Sequence, residues 1–226
     1  MTARTRPTSK CTYCGREMAS GSMGRHLGAC PQRQEVITES DKRRGRTQSL
    51  YHLRVRDAWQ SGYNFDLEMS GSRTLEDLDG YLRAIWLECC GHLSQFSIGG
   101  WGGDEISKQS RVDKVLQPDA EVTHIYDFGT SSETLIKLVA TRKGKPTTSN
   151  PIALMARNTP MQFPCISCDQ PAAWLCIECV EEETDGTLCD QHAKEHPHDD
   201  YGEPMPLVNS PRVGMCGYEG PAEPPY

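Results

Sequence analysis

The sequence lacks long apolar runs and has few apolar residues overall. Only 36% of the 226 residues are hydrophobic, and the mean hydropathy is −0.61. No stretch approaches the roughly 20 consecutive apolar residues that a membrane-spanning helix needs, so we expect no contact with a membrane. So few apolar residues cannot form one large core along the whole chain, and we expect the ends to have another source of stability.

The first ten residues, Met1 to Lys10, are polar and basic and lack the apolar stretch of an export signal. We therefore expect a cytoplasmic protein whose 11 cysteines stay reduced. Nine of the 11 lie within the first 30 residues or beyond Pro164. In a reduced chain this grouping predicts metal ligands rather than disulfides.

The charge is distributed unevenly along the chain. The net charge is −7, but residues 1–50 carry 10 Lys/Arg and 4 Asp/Glu, whereas residues 161–226 carry 2 and 13. Opposite charges at the two ends indicate different partners for them, and the basic end is the candidate for nucleic acid.

The middle of the chain has the patterns of a mixed domain. Alternation of apolar and polar residues predicts antiparallel strands, namely 51–56, 64–69, 95–98, 121–126 and 134–140. Between them, apolar side chains at spacings of three and four predict one main helix, namely Leu75, Leu78, Leu82, Ile85 and Trp86. We therefore predict an α+β central domain flanked by two small zinc-binding modules.

Composition changes divide the chain into six predicted segments. These are a zinc finger (1–34), a basic linker (35–49), the central domain (50–143), a second linker (144–163), a double-zinc module (164–201) and an irregular tail (202–226). We expect the finger to fold independently of the central domain, which buries its own apolar face.

The first motif is Cys11-x₂-Cys14-x₁₁-His26-x₃-Cys30. The leading pair fits a tight turn, and the last two ligands stand one helical turn apart, so four donors can converge on one tetrahedral Zn²⁺. The alternative is a set of free thiols on a disordered end. The spacing favours zinc.

The second motif contains Cys165, Cys168, Cys176, Cys179, Cys189, His192, His196 and His198. Eight ligands suit two tetrahedral zinc sites, whose binding energy can fold a segment this small and acidic. The order in which the ligands pair is open. One zinc with spare residues is the alternative, and Asp199 or Asp200 could replace His198. All three predicted zincs have complete protein ligand sets, so we expect structural rather than catalytic metals.

Weaker signals lie in the central domain. Cys89-x₂-His92 has ligand spacing, but a single pair at a helix end favours buried core thiols. The glycine-rich segment 99–103 lacks the Gly-Lys-Ser/Thr ending of a phosphate loop and favours a flexible loop. A convergence of histidines and carboxylates on predicted strands would favour an enzyme, and the candidates are His52, His124, Asp127 and Glu133.

Three stretches resemble known families. Through Thr74-Leu75-x₂-Leu78, His92-Leu93-x₂-Phe96 and Tyr126-Asp127-Phe128-Gly129, residues 50–143 resemble the plasmid pRiA open-reading-frame-three-like family. That resemblance implies an α+β domain of uncharacterised function, often encoded on mobile genetic elements. The finger is similar to Cys-Cys-His-Cys variants of nucleic-acid-binding fingers, and the second motif resembles a B-box-type double-zinc module.

We therefore predict a zinc-stabilised binding protein with three structural Zn²⁺ ions. The finger and the basic arm would bind DNA or RNA, and the acidic module would bind a protein. The candidate nucleic-acid contacts are basic side chains, namely Arg16, Arg25, Lys42, Arg43, Arg44 and Arg46. The alternatives are an enzyme that uses the central domain and an interaction scaffold without nucleic acid. The sequence favours a non-enzyme and leaves the oligomeric state open.

Overall fold

A computed structural model describes residues 7–168, 170–198 and 200–226. Its largest feature is a nine-stranded, fully antiparallel sheet with the strand order β2-β1-β9-β4-β3-β8-β7-β5-β6. The strands are β1 (Thr8–Cys11), β2 (Glu17–Ala19), β3 (Gln48–Asp57), β4 (Asn64–Ser70), β5 (Ser94–Ile98), β6 (Asp104–Ile106), β7 (Glu121–Tyr126), β8 (Ser132–Gly144) and β9 (Ile152–Asn158).

Several helices accompany this sheet, so the prediction of one main helix was too simple. They are α1 (Ser20–Ala29), α2 (Pro31–Lys42), α3 (Leu75–Leu82), a π-helical turn (Arg83–Leu87), α4 (Val112–Val115), α5 (Ile177–Glu181), α6 (Asp190–Lys194) and a 3₁₀ turn (Met215–Gly217). A second, small sheet with the order β11-β10-β12 consists of β10 (Trp174–Leu175), β11 (Thr187–Leu188) and β12 (Met205–Pro206). None of the helices in the described residues is long and apolar enough to cross a membrane.

Helix α3 begins at a capping box formed by Thr74 and Asp77. The Thr74 hydroxyl accepts a hydrogen bond from the Asp77 amide, and the Asp77 carboxylate accepts one from the Thr74 amide. This exchange satisfies two of the backbone donors that a helix start leaves free. The buried face of the helix forms one core with the sheet, and the Phe65 ring packs 4.7 Å from that of Trp86.

The predicted basic linker 35–49 is largely helical, because α2 extends to Lys42. Arg33 holds this helix against the sheet: its guanidinium donates to the Leu27 carbonyl at 2.9 Å and pairs with the Glu68 carboxylate at 3.1 Å. Glu68 also pairs with Arg142 at 2.6 Å. The sequence pattern gave no sign of this helix because an ion pair, rather than an apolar stripe, attaches it.

The predicted linker 144–163 contains β9, which lies between β1 and β4. Strand β1 of the finger pairs with β9, with Cys11 opposite Ala156, and the Thr12 amide donates to the Met155 carbonyl at 3.0 Å. The finger is therefore a part of the large sheet rather than a module separate from the central domain. Residues 1–6 of the predicted finger lie outside the described residues.

The tail, 202–226, has little regular structure, as predicted, but it packs against the central sheet. The Ser210 hydroxyl donates to the Trp86 carbonyl at 2.7 Å. Arg212 is fully buried and donates to the Asp127 carboxylate at 2.6 Å and to the Thr130 carbonyl at 2.9 Å. The chain therefore returns from the C-terminal module to the sheet before it ends.

Candidate metal centres

All eleven cysteines and five of the seven histidines belong to four clusters, and in each cluster the four candidate ligand atoms lie within 4.8 Å of one another. Every cysteine is among the described residues, and each thiol is free. The clusters are the finger cluster (Cys11, Cys14, His26, Cys30), the first module cluster (Cys165, Cys168, Cys189, His192), the second module cluster (Cys176, Cys179, His196, His198) and the tail cluster (Cys89, Cys90, His92, Cys216).

The spacing of these donors fits a tetrahedral metal. Zn–S bonds of about 2.3 Å and Zn–N bonds of about 2.0–2.1 Å place two sulfurs about 3.8 Å apart and a sulfur and a nitrogen about 3.6 Å apart. In the first module cluster, Cys168 and Cys189 sulfurs are 3.8 Å apart, and Cys165 Sγ lies 3.6 Å from His192 Nδ1. The donors are therefore arranged as a zinc ion requires, and four such clusters could hold metal ions.

The finger cluster is formed where two strands meet a helix. Cys11 ends β1, and a tight turn, closed by a hydrogen bond from the Gly15 amide to the Cys11 carbonyl, brings Cys14 back toward it. Gly15 has a φ of 71°, a left-handed conformation that favours glycine. His26 in α1 lies 3.3 Å from the Cys14 sulfur through Nε2, and Cys30 follows at the end of the helix.

Apolar side chains cover the finger cluster from one side. The sulfurs of Cys11 and Cys30 are buried together with Met23 and Leu27 of α1 and with Met155 of β9. Burial raises the pKa of the Cys11 thiol to about 11. A thiolate at this position therefore needs a nearby cation, which a bound metal supplies.

The two module clusters interleave along the chain, which answers the open pairing question. The first and third ligand pairs form one cluster, and the second and fourth form the other. His198, rather than Asp200, completes the second cluster, while Asp199 lies outside the described residues. Because each cluster joins distant parts of the segment, the two together tie the module into one unit.

Backbone amides donate hydrogen bonds to cysteine sulfurs of the two module clusters. The Ser167 amide donates to Cys165 Sγ at 3.4 Å, and the Cys179 amide donates to Cys176 Sγ at 3.5 Å. Burial raises the pKa of Cys165, but hydrogen bonds from the backbone amides of Cys189 and Ser167 outweigh burial and lower that pKa to about 6. The thiolate is thus the favoured form of Cys165 at neutral pH.

A carboxylate stands behind one ligand of the second module cluster. His198 Nδ1 lies 3.2 Å from Cys179 Sγ, and its other ring nitrogen, Nε2, lies 4.0 Å from the Glu182 carboxylate. Carboxylates in this position orient a ligating histidine and raise its basicity. Glu182 therefore supports His198 as a ligand.

The tail cluster was not predicted, although Cys89 packs against the main core, as its interpretation as a core thiol implied. Cys90 and Cys216 are exposed, and Cys89 and His92 are half-buried. Cys216 is distant in sequence, so spacing alone could not bring it to the Cys89-x₂-His92 pair. One signal was available: the two predicted motifs leave exactly these three cysteines without a role, in a chain where all others are ligand candidates.

The residues proposed for an enzyme do not converge within the described part of the chain. His52 pairs with Asp66 at 2.7 Å, whereas His124 pairs with Asp79 at 2.6 Å. Glu133 precedes Thr134, the cross-strand partner of His124, so its side chain points to the opposite face of the sheet. The four candidates thus belong to separate environments.

Asp79 and His124 instead form a buried polar network under α3. The Asp79 carboxylate accepts hydrogen bonds from His124, Ser94, Arg83 and Lys108. Burial raises the pKa of Asp79, but these donors, His124 first, hold it well below its usual range. Burial lowers the pKa of His124, which favours the neutral ring. The network has the character of a structural ion-pair cluster, in which His124 Nδ1 is a buried atom without a hydrogen-bond partner among the described residues.

The basic residues predicted to bind nucleic acid fall into two groups. Arg43, Arg44 and Arg46 follow α2 and line a concave surface with a volume of about 350 Å³, together with Arg73 and Lys145. The others lie outside this lining: Arg16 and Arg25 are exposed on the finger, and Lys42 pairs with Glu39 at 2.5 Å. We call the first group and its two neighbours the basic groove.

Comparisons with known proteins leave the family open. No protein-family model matches the chain, and no curated protein matches it. Among solved structures, the chain is similar to the crystal structure of a protein of unknown function, MM3350 from Methanosarcina mazei Go1, with 18% sequence identity and a TM-score of 0.40. That alignment covers 46% of this chain and 67% of the other. A likeness this distant carries no functional argument, so the resemblances seen in the sequence remain predictions.

Proposed function

We propose that this chain is a zinc-stabilised protein that binds the phosphate backbone of nucleic acid in the basic groove. The observation that carries the proposal is that three arginines of the groove are exposed and have no ion-pair partner among the described residues. Arg43, Arg44 and Arg46 are exposed, and in the described residues no carboxylate lies within ion-pair distance of their side chains. Three unpaired guanidinium groups at one concave surface attract an anionic ligand.

Other arginines near the finger and the sheet differ from these. Arg33 and Arg142 pair with the buried Glu68, and Arg54 pairs with the buried Asp66. Those cations hold the finger and α2 against the sheet, and their charge is neutralised inside the protein. Arg43, Arg44 and Arg46 have no such structural task, so their charge is available to a ligand, whereas Arg73 of the groove pairs with Asp77 at 3.5 Å.

The groove also supplies neutral hydrogen-bond donors. Thr147, Thr148 and Ser149 line it beside Lys145, and their hydroxyl and amide groups suit phosphate oxygens. Glu68 is the single acidic residue in the lining, and its charge is already shared by two arginines. A repeating phosphate backbone offers several anionic groups to the five cations together.

In the proposed form, the finger cluster and the two module clusters each hold one structural Zn²⁺. Each offers four protein donors, so no coordination position is left for a substrate or an activated water. The metal would supply folding energy and no reaction chemistry. The protein residues do the binding.

The test is fluorescence anisotropy of labelled duplex and single-stranded oligonucleotides, titrated with the full-length protein at several salt concentrations. Replacing all three groove arginines, R43A/R44A/R46A, should weaken binding strongly at low salt. For a duplex, the slope of log K against log salt should fall by about 0.9 for each lost phosphate contact.

A charge-matched control is K114A/K137A/K194A, which removes three exposed cations that do not line the groove. It should leave affinity and salt slope close to those of the wild type. Equal losses in both variants would point to general electrostatic attraction, and undetectable wild-type binding at low salt would overturn the proposal.

A protein partner for the C-terminal module is the second candidate function. Its surface combines acidic residues with exposed apolar side chains: Val180 is 42% exposed beside Glu181–Glu183, and Tyr201 is 65% exposed. We propose that this face binds a basic, partly apolar protein segment. Binding of basic peptides on an array should drop in V180A/Y201A, and unchanged binding would remove the candidate.

A further inference from the structure

The tail cluster has the geometry of the other three clusters although no sequence motif marks it. Cys89 and Cys90 sulfurs are 3.7 Å apart, and Cys90 and Cys216 sulfurs are 3.9 Å apart. His92 Nε2 lies 3.0 Å from Cys90 Sγ and 3.4 Å from Cys216 Sγ. Both sulfur–sulfur separations lie close to the tetrahedral edge of about 3.8 Å that a zinc ion imposes, and the two nitrogen–sulfur separations are shorter than the corresponding edge of about 3.6 Å.

We propose that Cys89, Cys90, His92 and Cys216 bind a fourth structural Zn²⁺. Soft thiolates with one imidazole form a donor set that selects zinc over hard cations such as Mg²⁺ or Ca²⁺. The site would join the chain after the main helix to the tail, which is more than a hundred residues away in sequence.

The backbone is shaped to deliver these ligands. Gly91, with φ of 81°, reverses the chain between Cys90 and His92, so both side chains reach the same point. Cys216 has a φ of 53°, which is unfavourable for a residue with a side chain, and it lies between Gly214 and Gly217, which also have positive φ. A metal bond at Cys216 would offset that unfavourable conformation.

Buried residues hold the two halves of the cluster together. Arg212 Nη2 lies 3.5 Å from Cys89 Sγ and also donates to the Asp127 carboxylate at 2.6 Å. Zinc with three thiolates carries a net charge of −1, and the fully buried Arg212 guanidinium lies beside it to balance that charge. Asp127 thus holds the Arg212 guanidinium against Cys89.

Two other interpretations fit the structure less well. A core role for the thiols does not explain why Cys90 and Cys216 are exposed. A disulfide between them requires a sulfur separation of about 2.05 Å, much shorter than the observed 3.9 Å. Metal ligation accounts for both the exposure and the spacing.

The test counts zinc ions per chain by native mass spectrometry of the full-length protein, purified with a phosphine reductant and excess Zn²⁺ later removed by dialysis. The wild type should carry four ions, and C90S/C216S should carry three. The matched control is M215S, an equivalent change to serine in the same 3₁₀ turn at an exposed side chain, and it should carry four.

Cobalt substitution gives a second readout that does not depend on the mass measurement. The sulfur-to-cobalt charge-transfer absorption should be lower in C90S/C216S than in the wild type. The expected loss is about three elevenths, because the tail cluster supplies three of the eleven thiolates. C216H should keep four metals and shift the spectrum, because histidine can replace the lost thiolate.

A wild type with three zincs that C90S/C216S leaves unchanged would overturn the fourth site. A mass lower by two hydrogens than that of the chain with all thiols free, mapped to Cys90 and Cys216, would indicate a disulfide between them. That result would overturn the fourth site as well. The three other sites are counted separately, because C14S, C168S and C176S each remove a ligand from a different cluster. Failure of the fourth site is thus distinguishable from failure of the proposed function.

Discussion

The finger cluster and the C-terminal module have similar ligands but different surroundings. The finger cluster shares a core with Met155 and Ala156 of the large sheet, and its strand β1 pairs with β9. In the module, the buried core is Leu188 together with Cys165, Cys176 and Cys179, so three of its four members are themselves candidate ligands. In the finger, a bound metal would add stability to an existing apolar core. In the module, the candidate ligands are themselves most of the core, so its stability would depend on bound metal.

This difference determines how far the loss of one ligand should spread. Three two-residue strands of the module's sheet cannot be stable alone, since isolated strand pairs in water are marginal at best. The finger, by contrast, has the strand pairing with β9 and the Arg33–Glu68 ion pair as further support, so loss of its metal should weaken this region rather than unfold it. The predictions below test this contrast, starting with the largest effect.

Cys176→Ser should unfold most of the C-terminal module. Serine cannot replace the thiolate, and a structural zinc in a small domain supplies on the order of 10 kcal/mol of folding energy. Limited proteolysis should then cut first between Pro164 and Tyr201. Val180→Ser, a change at an exposed side chain four residues away, should stay as resistant as the wild type. Equal resistance of C176S and V180S would show that Cys176 is not a ligand.

Cys14→Ser should destabilise the protein less than Cys176→Ser does, but its effect should extend into the large sheet. We expect a loss of roughly 4 kcal/mol, a size typical of losing a metal, with the β1–β9 pairing weakened rather than the finger alone unfolded. Hydrogen exchange should accelerate at Thr12, whose amide bonds to the Met155 carbonyl. Arg16→Ser in the neighbouring turn serves as control. Exchange should also accelerate at the amides of β9 that pair with β1, and acceleration confined to residues 8–30 would show that the finger unfolds alone.

Glu68→Gln should test the ion pairs that attach α2 and the finger. It leaves the guanidinium groups of Arg33 and Arg142 without their buried carboxylate, and breaking a buried pair in this way costs roughly 3 kcal/mol. Chemical denaturation measures the change. Glu39→Gln removes an exposed pair with Lys42 on the same helix and should change stability by less than about 0.5 kcal/mol. Similar values for the two variants would mean that α2 is not anchored through Glu68.

The strands and the helix of the central domain could be predicted from the sequence because apolar periodicity records burial on one face. The finger and module ligands could be predicted because tetrahedral coordination fixes short spacings. Helix α2 could not be predicted, because it is attached through the buried Glu68 and the sequence does not distinguish a buried glutamate from an exposed one. Strand β9 was not predicted either. Strand β4 is buried along its whole length, although its polar residues alternate as on a solvated face.

The tail cluster was missed for a related reason. Its ligands come from a helix end and from a tail whose position depends on Arg212 and Ser210, and both make their contacts across more than eighty residues of sequence. No local pattern contains that information. The resemblance to a pRiA-type domain, the nucleic-acid contacts and the protein partner likewise remain predictions, because they depend on molecules other than this chain.

The smallest of these effects is expected for a substitution at Asp79, which belongs to none of the four candidate metal clusters. Asp79→Asn removes the charge that Arg83, Lys108 and His124 share, and hydrogen bonds to a charged group contribute about 2 kcal/mol. Because the pKa of Asp79 is lower in the folded than in the unfolded protein, this stability is fully present above the unfolded value, near pH 4, and is lost as the pH falls through the folded value. The wild type should therefore exceed D79N in stability at pH 7, and the gap should narrow below about pH 4. Protonation of zinc ligands weakens both proteins equally in acid, so the difference between the two denaturation curves isolates Asp79. Asp104→Asn, at an exposed carboxylate, should follow the wild type at every pH, and a D79N gap that persists undiminished in acid would show that packing, not charge, gives Asp79 its effect.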